Sequence, residues 1–378
     1  MLTTAIVFIA ILSVLVLIHE LGHFTVARLI GVKVEEFGLG LPPRIIGKKI
    51  RGIIYSLNWL PIGGFVKLAG EDESPSPNSP KFPKHPKSYF FARSKKERAA
   101  ILLAGVLMNF LLAVGITTYL LTQGVSEPTG QVHIERVLPG SPASAAGLKE
   151  KDIIQSITYP RNVLGGYSAS KELELAPVES KKIVVPTDLI DAVKAHAGEK
   201  VTLTVLRDTH IIPISLVPRK DYPKGEGPTG IVISDLEIHV YPLSQAPFLA
   251  TKINLERGWN MLAGIGALIG RIVRLKPVGG DVAGPIGIAQ VTGQAVKFGW
   301  KAVLEFMSIL SLNLAVLNIL PIPALDGGRL AFVFLEKILG KKVRPAFEQS
   351  THQIGMIILF ILVLLISIND ILRLAHGG

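Results

Sequence analysis

Two histidines and a glutamate interrupt an almost unbroken apolar stretch near the start of the chain, VLVLIHELGHF at residues 14 to 24. His19, Glu20 and His23 form the pattern H-E-x-x-H. On a helix, positions i and i+4 lie about 40° apart around the axis, so both imidazoles leave one face and can bind one zinc ion. Glu20 lies beside that face, where its carboxylate can accept a proton from a water molecule at the metal. The pattern predicts a hydrolytic zinc site on a helix.

An alternative interpretation needs no metal. The two histidines could end a helix near the membrane interface, with the Glu20 side chain reaching to the surface. Three titratable side chains inside an apolar span cost several kcal/mol unless they are ligated or paired. This cost favours the metal site.

A catalytic zinc ion commonly has three protein ligands, so a third must come from elsewhere in the chain. The extended motif of soluble enzymes would place another histidine six residues after His23, and this chain has Leu29 there. Asp326 is the best candidate, because it follows the third long apolar run. Pro321 and Pro323 end the preceding helix, which predicts that Asp326 lies on irregular backbone at membrane depth. The alternative is an aspartate that caps a new helix beginning GGRLAFVFLEKIL.

The elements that carry these residues are expected to cross a membrane. The chain has 378 residues, 49% of them hydrophobic, and its mean hydropathy of +0.45 is too high for an ordinary soluble enzyme. A short apolar run at 258 to 270 lies between arginines and is expected to be interfacial or buried. Four stretches reach the roughly 20 residues that a bilayer-spanning helix needs, at 1–30, 99–122, 302–322 and 353–370.

The uneven distribution of basic residues orients these spans. Residues 31–98 contain 13 Lys and Arg, and the connection at 323–352 is basic as well. The positive-inside rule assigns both segments to the cytoplasmic side. Both termini and the long segment 123–301 are then expected outside, and the first span, which has no basic n-region or cleavage site, is expected to stay in the protein.

Composition also excludes several function classes. No basic run is interleaved with aromatic residues, so no nucleic-acid partner is expected. Cysteine is absent, which excludes disulfides, a thiolate nucleophile and a cysteine-ligated metal.

The regions between the spans have β signals. Residues 31–72 are expected to hold two or three short strands on the cytoplasmic side, joined by tight turns within 48–70, and 73–98 to form a proline-rich loop. Residues 124–240 combine strand patterns with two helix signals, which predicts one compact α+β domain. Interfacial helices and a linker are expected at 241–301.

Several short motifs follow one another along the chain. HELGH lies in the first span and NILPIPALDGG follows the third. Further motifs are GGFVKL at 63–68, AGVLMNF at 104–110, SPASAAGL at 141–148 and VAGPIGI at 282–288. Together and in this order they resemble the site-2 protease family of intramembrane zinc metalloproteases, and most closely its bacterial branch with an outward PDZ domain. The resemblance implies a membrane α-helical bundle of four transmembrane helices with a membrane-associated β-hairpin region and one extracytoplasmic α+β PDZ domain, in a bacterial inner membrane.

The resemblance also implies roles for the candidate metal site. His19, His23 and Asp326 would bind Zn²⁺, and Glu20 would be the general base. The reaction would be hydrolysis of a peptide bond in or beside the transmembrane helix of a single-pass membrane protein, toward the cytoplasmic side. Anti-sigma factors and remnant signal peptides are the implied substrates, cut after a first cleavage on the outer side.

Further residues match the family's substrate-contacting positions. Asn318, Pro321 and Pro323 match the motif that accommodates substrate. Gly105 and Asn109 match a G-x-x-x-N element, in which the asparagine contacts either substrate or another helix. The β-strand edge at 48–70 would pair with an unwound substrate, and the PDZ domain would dock substrates or exclude large ones.

The chain departs from the family pattern at two places, and two other function classes stay open. Lys151 stands where the PDZ signature A-G-L-x-x-G-D has glycine, and a stretch of about 30 residues from 158 to 186 fills a usually shorter connection. One alternative is a membrane PDZ scaffold without catalysis, against which the intact ligands and base argue. The other is a zinc protease of another family acting on damaged membrane proteins, which would lack the paired LDG and PDZ features.

Overall fold

The computed structural model describes residues 2–71, 85–160, 178–223, 226–274, 284–341 and 343–375. The chain forms two compact units. One comprises Met1–Gln123 together with Tyr241–Gly378, and the other is Gly124–Val240. The middle of the proline-rich stretch, 72–84, and most of the long connection, 161–177, lie outside the described residues.

Four helices of the first unit are long and apolar enough to cross a membrane, as the sequence predicts. The third ends at Ile319 rather than 322, because Leu320 takes an extended conformation and the residue before a proline disfavours helix. The second begins at Lys95 rather than 99, because Ser94 and Glu97 form a capping box that satisfies backbone N–H groups at its start. The four are α1 (Leu2–Ile30), α2 (Lys95–Thr122), α7 (Trp300–Ile319) and α9 (Pro345–Ala375).

The described part of this unit also contains the α-helices α5 (Ala246–Val273), α6 (Pro285–Phe298) and α8 (Asp326–Leu339). The short helix expected at 258–270 is a part of α5, which has 28 residues. Hydropathy missed the first half of α5 because that half contains charged and polar residues. One of these, the buried Asn254, donates a hydrogen bond from Nδ2 to Thr117 Oγ1 at 3.0 Å and so attaches α5 to α2.

The predicted short strands are in fact one long hairpin, β1 (Val34–Ile50) and β2 (Ile53–Leu68). Glycines within the strands allow them to bulge, and Gly40 and Gly63 take positive φ angles of 82° and 89°. Residues 34–41 pair with 60–68 on one side and with 54–57 on the other, while 44–50 pair with 53–58. The hairpin is therefore folded into four short segments. Segment 34–41 runs antiparallel to 60–68 and parallel to 54–57, and 44–50 runs antiparallel to 53–58. Among the described residues, 60–68 is an edge segment.

In the second unit, the described residues form an antiparallel sheet and two helices. The strand order is β7-β6-β4-β3-β8, and β5 also pairs with β4. Leu189 and Val193 of the second helix are buried in one apolar cluster with sheet residues such as Ile134, Ile157 and Leu203. The elements are β3 (Val125–Val137), α3 (Pro142–Ala145), β4 (Ile153–Pro160), β5 (Val178–Lys182), α4 (Pro186–Ala195), β6 (Val201–Arg207), β7 (His210–Leu216) and β8 (Ile231–His239).

A buried ion pair holds the turn before β4. Asp152 is 1% exposed and accepts hydrogen bonds from Arg207 Nε at 2.7 Å and Nη2 at 2.8 Å, and from the Lys149 N–H at 2.9 Å. Burial raises the pKa of Asp152, but these hydrogen bonds and the Arg207 charge outweigh it and keep that pKa below its ordinary value. These contacts hold Lys149 and Asp152, which lie on the two sides of Lys151 in the turn.

Lys151 takes a left-handed conformation with φ of 71°, which explains why glycine is usual here. Lys151→Gly should stabilise this unit by about 1 kcal/mol, because a non-glycine residue loses roughly 1–2 kcal/mol in this region and the entropy of glycine cancels only part of that. Hydrogen exchange of residues 124–240 in the full-length protein measures the effect. Lys151→Ala is the control, since it removes the side chain and keeps the strain. Equal protection in both variants would contradict the explanation.

Candidate metal centre

Three side chains from opposite ends of the chain meet in the first unit. His19 and His23 lie on α1 and are 8% and 9% exposed, and Asp326 lies on α8. Asp326 Oδ2 is 2.9 Å from His19 Nε2 and 3.1 Å from His23 Nε2. The two Nε2 atoms are 3.2 Å apart. The three predicted metal ligands therefore converge on one point.

The donor set fits a zinc ion. Tetrahedral zinc with bonds of about 2.0–2.1 Å keeps its ligand atoms about 3.3 Å apart, and the observed separations are within about 0.4 Å of that value. Two imidazoles and one carboxylate leave a fourth position for a reacting group, which is the pattern of catalytic rather than structural zinc sites. His19, His23 and Asp326 could hold such an ion with little rearrangement.

Asp326 reaches this point from the first residue of a helix, which corrects the prediction of irregular backbone. The irregular part is 320–325, and α8 begins at Asp326. The alternative of an aspartate that caps a helix beginning at Gly327 is wrong as well, because Leu325 is the N-cap residue. Gly327 does not make a turn but allows close packing, since a Cβ there would lie 2.6 Å from the carbonyl carbon of Ile319. A buried ion pair between Arg98 and Glu336 joins α8 to α2.

A backbone carbonyl fixes the tautomer of His23. His23 Nδ1 lies 2.8 Å from the carbonyl oxygen of Ile101 on α2. Because a carbonyl only accepts, Nδ1 carries the proton and Nε2 presents its lone pair to the metal position.

Asn109 contacts the other histidine. It is fully buried, and its side-chain amide lies 3.4 Å from His19 Nδ1. For Nε2 of His19 to ligate, Nδ1 must carry the proton and needs an acceptor. The amide orientation that offers Oδ1 to Nδ1 provides it, and Oδ1 otherwise has no hydrogen-bond partner in the described structure. Asn109 thus forms a hydrogen bond between α2 and α1, which is one of the two roles expected for it. Its partner on α1, His19, is a candidate zinc ligand.

Close packing of α1 on α2 allows both contacts. A Cβ at Gly105 would lie 2.6 Å from His19 Cε1 and 2.7 Å from His23 Cε1. A Cβ at Gly22 would lie 2.7 Å from the carbonyl carbon of Ala104. Small residues on both helices therefore bring their backbones together at the histidines, which gives a physical reason for the glycine of G-x-x-x-N.

Glu20 connects the metal centre with the hairpin. Its Oε2 accepts a hydrogen bond of 2.9 Å from the Val66 N–H. Val66 belongs to the edge segment 60–68, so this N–H points away from its β1 partner and toward the carboxylate. The Glu20 side chain lies between the face that carries the histidines and a β edge.

The other predicted residues lie near Asp326 along the chain. Asn318 is half-buried in the last turn of α7, Pro321 is exposed and Pro323 is half-buried. A Cβ at Gly355 of α9 would lie 2.8 Å from the Pro323 carbonyl carbon, so Pro323 also has a packing role. Sequence reasoning missed the Ile101 carbonyl and the Val66 N–H, because backbone partners have no side-chain signal.

The chain is similar to a family of peptidases and to several bacterial proteins. Residues 7–362 match the family described as "Peptidase family M50". A Fusobacterium nucleatum protein, named provisionally as a zinc metalloprotease, is 30% identical over 98% of this chain and 99% of its own length. A Clostridium acetobutylicum protein with the same provisional name is 32% identical over 96% of both chains. The regulator of sigma-W protease RasP of Bacillus subtilis is 28% identical over 98% of this chain and 99% of its own.

These matches extend over nearly the whole chain. The chain therefore belongs to peptidase family M50, the site-2 protease family, and is a zinc metalloprotease of the membrane.

Proposed function

We propose that this protein hydrolyses a peptide bond within or beside the transmembrane segment of single-pass membrane proteins. His19, His23 and Asp326 hold the zinc ion and Glu20 is the general base. The observation that carries the proposal is the convergence of the imidazoles of His19 and His23, on the apolar helix α1, with the carboxylate of Asp326 on α8. The carboxylate of Glu20 lies beside them on α1. Since a relative is named regulator of sigma-W protease, anti-sigma factors are candidate substrates, as are remnant signal peptides, cut second after an outer-side cleavage.

The roles of the side chains follow from their positions. When bound, zinc supplies a Lewis acid for a carbonyl group and makes a water molecule more acidic. Glu20 accepts the proton of that water and later delivers it to the leaving amine. Ile101 and Asn109 keep the proton of each histidine on Nδ1, so that both Nε2 atoms stay available. Asn318, Pro321 and Pro323 shape the substrate position beside Asp326.

Substrate binding at the hairpin edge follows from backbone chemistry. A transmembrane helix hides its carbonyl groups in its own hydrogen bonds, so it must unwind before cleavage and its backbone then needs new partners. Within the described residues, segment 60–68 pairs with 34–41 only. Its outer edge borders Glu20 through the Val66 N–H. An unwound substrate strand added to this edge brings its scissile bond next to the base.

Glu20→Gln should lower the cleavage rate of a reconstituted membrane substrate by roughly 100- to 10,000-fold, because the amide cannot accept the proton. Zinc content should not change, since the three ligands remain. The measurement is product formation by mass spectrometry together with bound zinc. Glu256→Gln is the control, at a carboxylate of α5 that is 64% exposed. Cleavage by Glu20→Gln at the wild-type rate would favour a scaffold whose proteolysis comes from elsewhere.

We further propose a bacterial inner-membrane orientation with both termini and residues 124–240 outside. The basic segments 31–98 and 323–352 then lie in the cytoplasm, and cleavage occurs toward that side. Residues 124–240 act as a PDZ domain that docks substrates or excludes large ones, which the SPASAAGL motif at the start of α3 supports.

Single-cysteine labelling tests this orientation cleanly, because the chain has no cysteine of its own. Glu150→Cys, at an exposed position of the second unit, should react with a membrane-impermeant maleimide in intact spheroplasts. Lys337→Cys, exposed on α8, should react only after permeabilisation. The reverse pattern would overturn the orientation and move the cleavage to the other side.

A further inference from the structure

The segment that delivers Asp326 contains a strained residue. Ala324, two positions before Asp326, has a φ of 77°. Residues other than glycine disfavour this left-handed region and stay in it only when their surroundings hold them there. The structure must therefore contain a contact that fixes Ala324.

His352 on α9 makes that contact. Its Nδ1 accepts a hydrogen bond of 3.0 Å from the Ala324 N–H. The His352 ring lies against Phe332 of α8, with ring centroids 5.7 Å apart. The imidazole therefore touches both the strained segment and the helix that begins at Asp326.

Close packing around the segment leaves it few other conformations. Gly355, one turn after His352, lies against Pro323, where a Cβ would be 2.9 Å from the Pro323 carbonyl oxygen. On the other side, the Leu325 N–H donates to the Ile322 carbonyl at 3.2 Å. If Ala324 leaves its left-handed conformation, the start of α8 has to move, and the Asp326 carboxylate moves with it.

We propose that His352 is a positioning residue for the metal centre, which acts by holding Ala324 so that Asp326 reaches His19 and His23. The proposal rests on the assignment of Asp326 as a zinc ligand. It gives α9 a role in building the site in addition to spanning the membrane. Removing a residue that orients a metal ligand typically weakens metal binding about 10- to 100-fold.

Two substitutions separate the hydrogen bond from the packing of the ring. His352→Phe keeps an aromatic ring against Phe332 and removes the acceptor. His352→Asn keeps a side-chain acceptor and removes the ring. If positioning through Ala324 is the role, zinc affinity of the full-length protein, measured by competition with a chelator, should fall about tenfold in His352→Phe. His352→Asn should stay near the wild type, and the cleavage rate at limiting zinc should follow the same order.

A third substitution tests the route through the strained residue. Ala324→Gly removes the conformational penalty, so the His352→Phe, Ala324→Gly double variant should recover severalfold in zinc affinity over His352→Phe alone. Gln353→Ala, at the exposed neighbouring position of α9, is the control and should behave as wild type.

The outcomes distinguish this inference from the assignment on which it rests. Wild-type zinc affinity in His352→Phe, or a loss in His352→Asn that exceeds the loss in His352→Phe, would overturn the positioning role and leave Asp326 as a ligand. No recovery on adding Ala324→Gly would also overturn it. Full zinc retention in Asp326→Ala would instead refute the ligand assignment itself.

Discussion

Asp326→Ala is expected to release most of the zinc and to reduce proteolysis to background. Asp326 supplies the one oxygen donor and the one formal negative charge among the three side chains that converge. If three ligands share an apparent binding free energy of about 12 kcal/mol equally, losing one costs about 4 kcal/mol, or roughly a thousandfold in affinity. The measurements are metal content after dialysis against a weak chelator and cleavage of the reconstituted substrate.

The effect of Asp326→Ala should be local. The carboxylate lies on the first turn of α8, and the ion pair of Arg98 with Glu336 that attaches α8 to α2 is not touched. Asp221→Ala, at an exposed aspartate of the second unit, should keep zinc and activity. An Asp326→Ala protein with a full complement of zinc would show that the third ligand lies elsewhere.

The metal centre is the part of the structure that the sequence predicts best. The spacing of His19 and His23 determines their common face on any helix, so tertiary contacts were not needed to infer it. Asp326 lies 303 residues from His23, and its role was inferred from its place after two prolines and from the family resemblance. The prediction of irregular backbone at Asp326 was wrong, because no signal in the neighbouring sequence shows that α8 begins at Asp326 itself.

Contacts between residues far apart in the sequence explain why local sequence did not predict the full lengths of β1 and α5. β1 (Val34–Ile50) contains three glycines and two prolines, which is poor strand sequence by propensity. It becomes a strand because residues 60–68 and 54–57 pair with its two edges. The first half of α5 likewise lies outside the apolar run at 258–270, because its polar residues include Asn254, whose partner Thr117 lies 137 residues away.

Gly105 shows what geometry adds to a motif. The resemblance marked this glycine and Asn109 as a pair but could not give a reason for the glycine. In the structure it is the α2 position that faces both imidazoles, one turn before the asparagine that contacts His19. The motif therefore combines space for the two imidazoles with a hydrogen bond to one of them.

Gly105→Ala should accordingly abolish zinc binding and cleavage together, although it adds one methyl group. The new Cβ would lie 2.6 Å from His19 Cε1 and 2.7 Å from His23 Cε1, distances that side-chain packing does not tolerate. The imidazoles cannot retreat without leaving Asp326, and His23 would also lose its 2.8 Å hydrogen bond to Ile101. Helices α1 and α2 cannot separate without losing the close packing of Gly22 on Ala104.

Gly115→Ala provides a matched control on the same helix, since a Cβ at Gly115 meets nothing within 4 Å. It removes one glycine from α2, as Gly105→Ala does, so both variants change helix propensity alike. Zinc content, cleavage rate and helical content should all stay at wild-type values in Gly115→Ala. In Gly105→Ala the first two should fall while helical content remains. If Gly105→Ala keeps zinc and activity, then α1 and α2 can move apart at the histidines, and close packing there is not what orders the ligands.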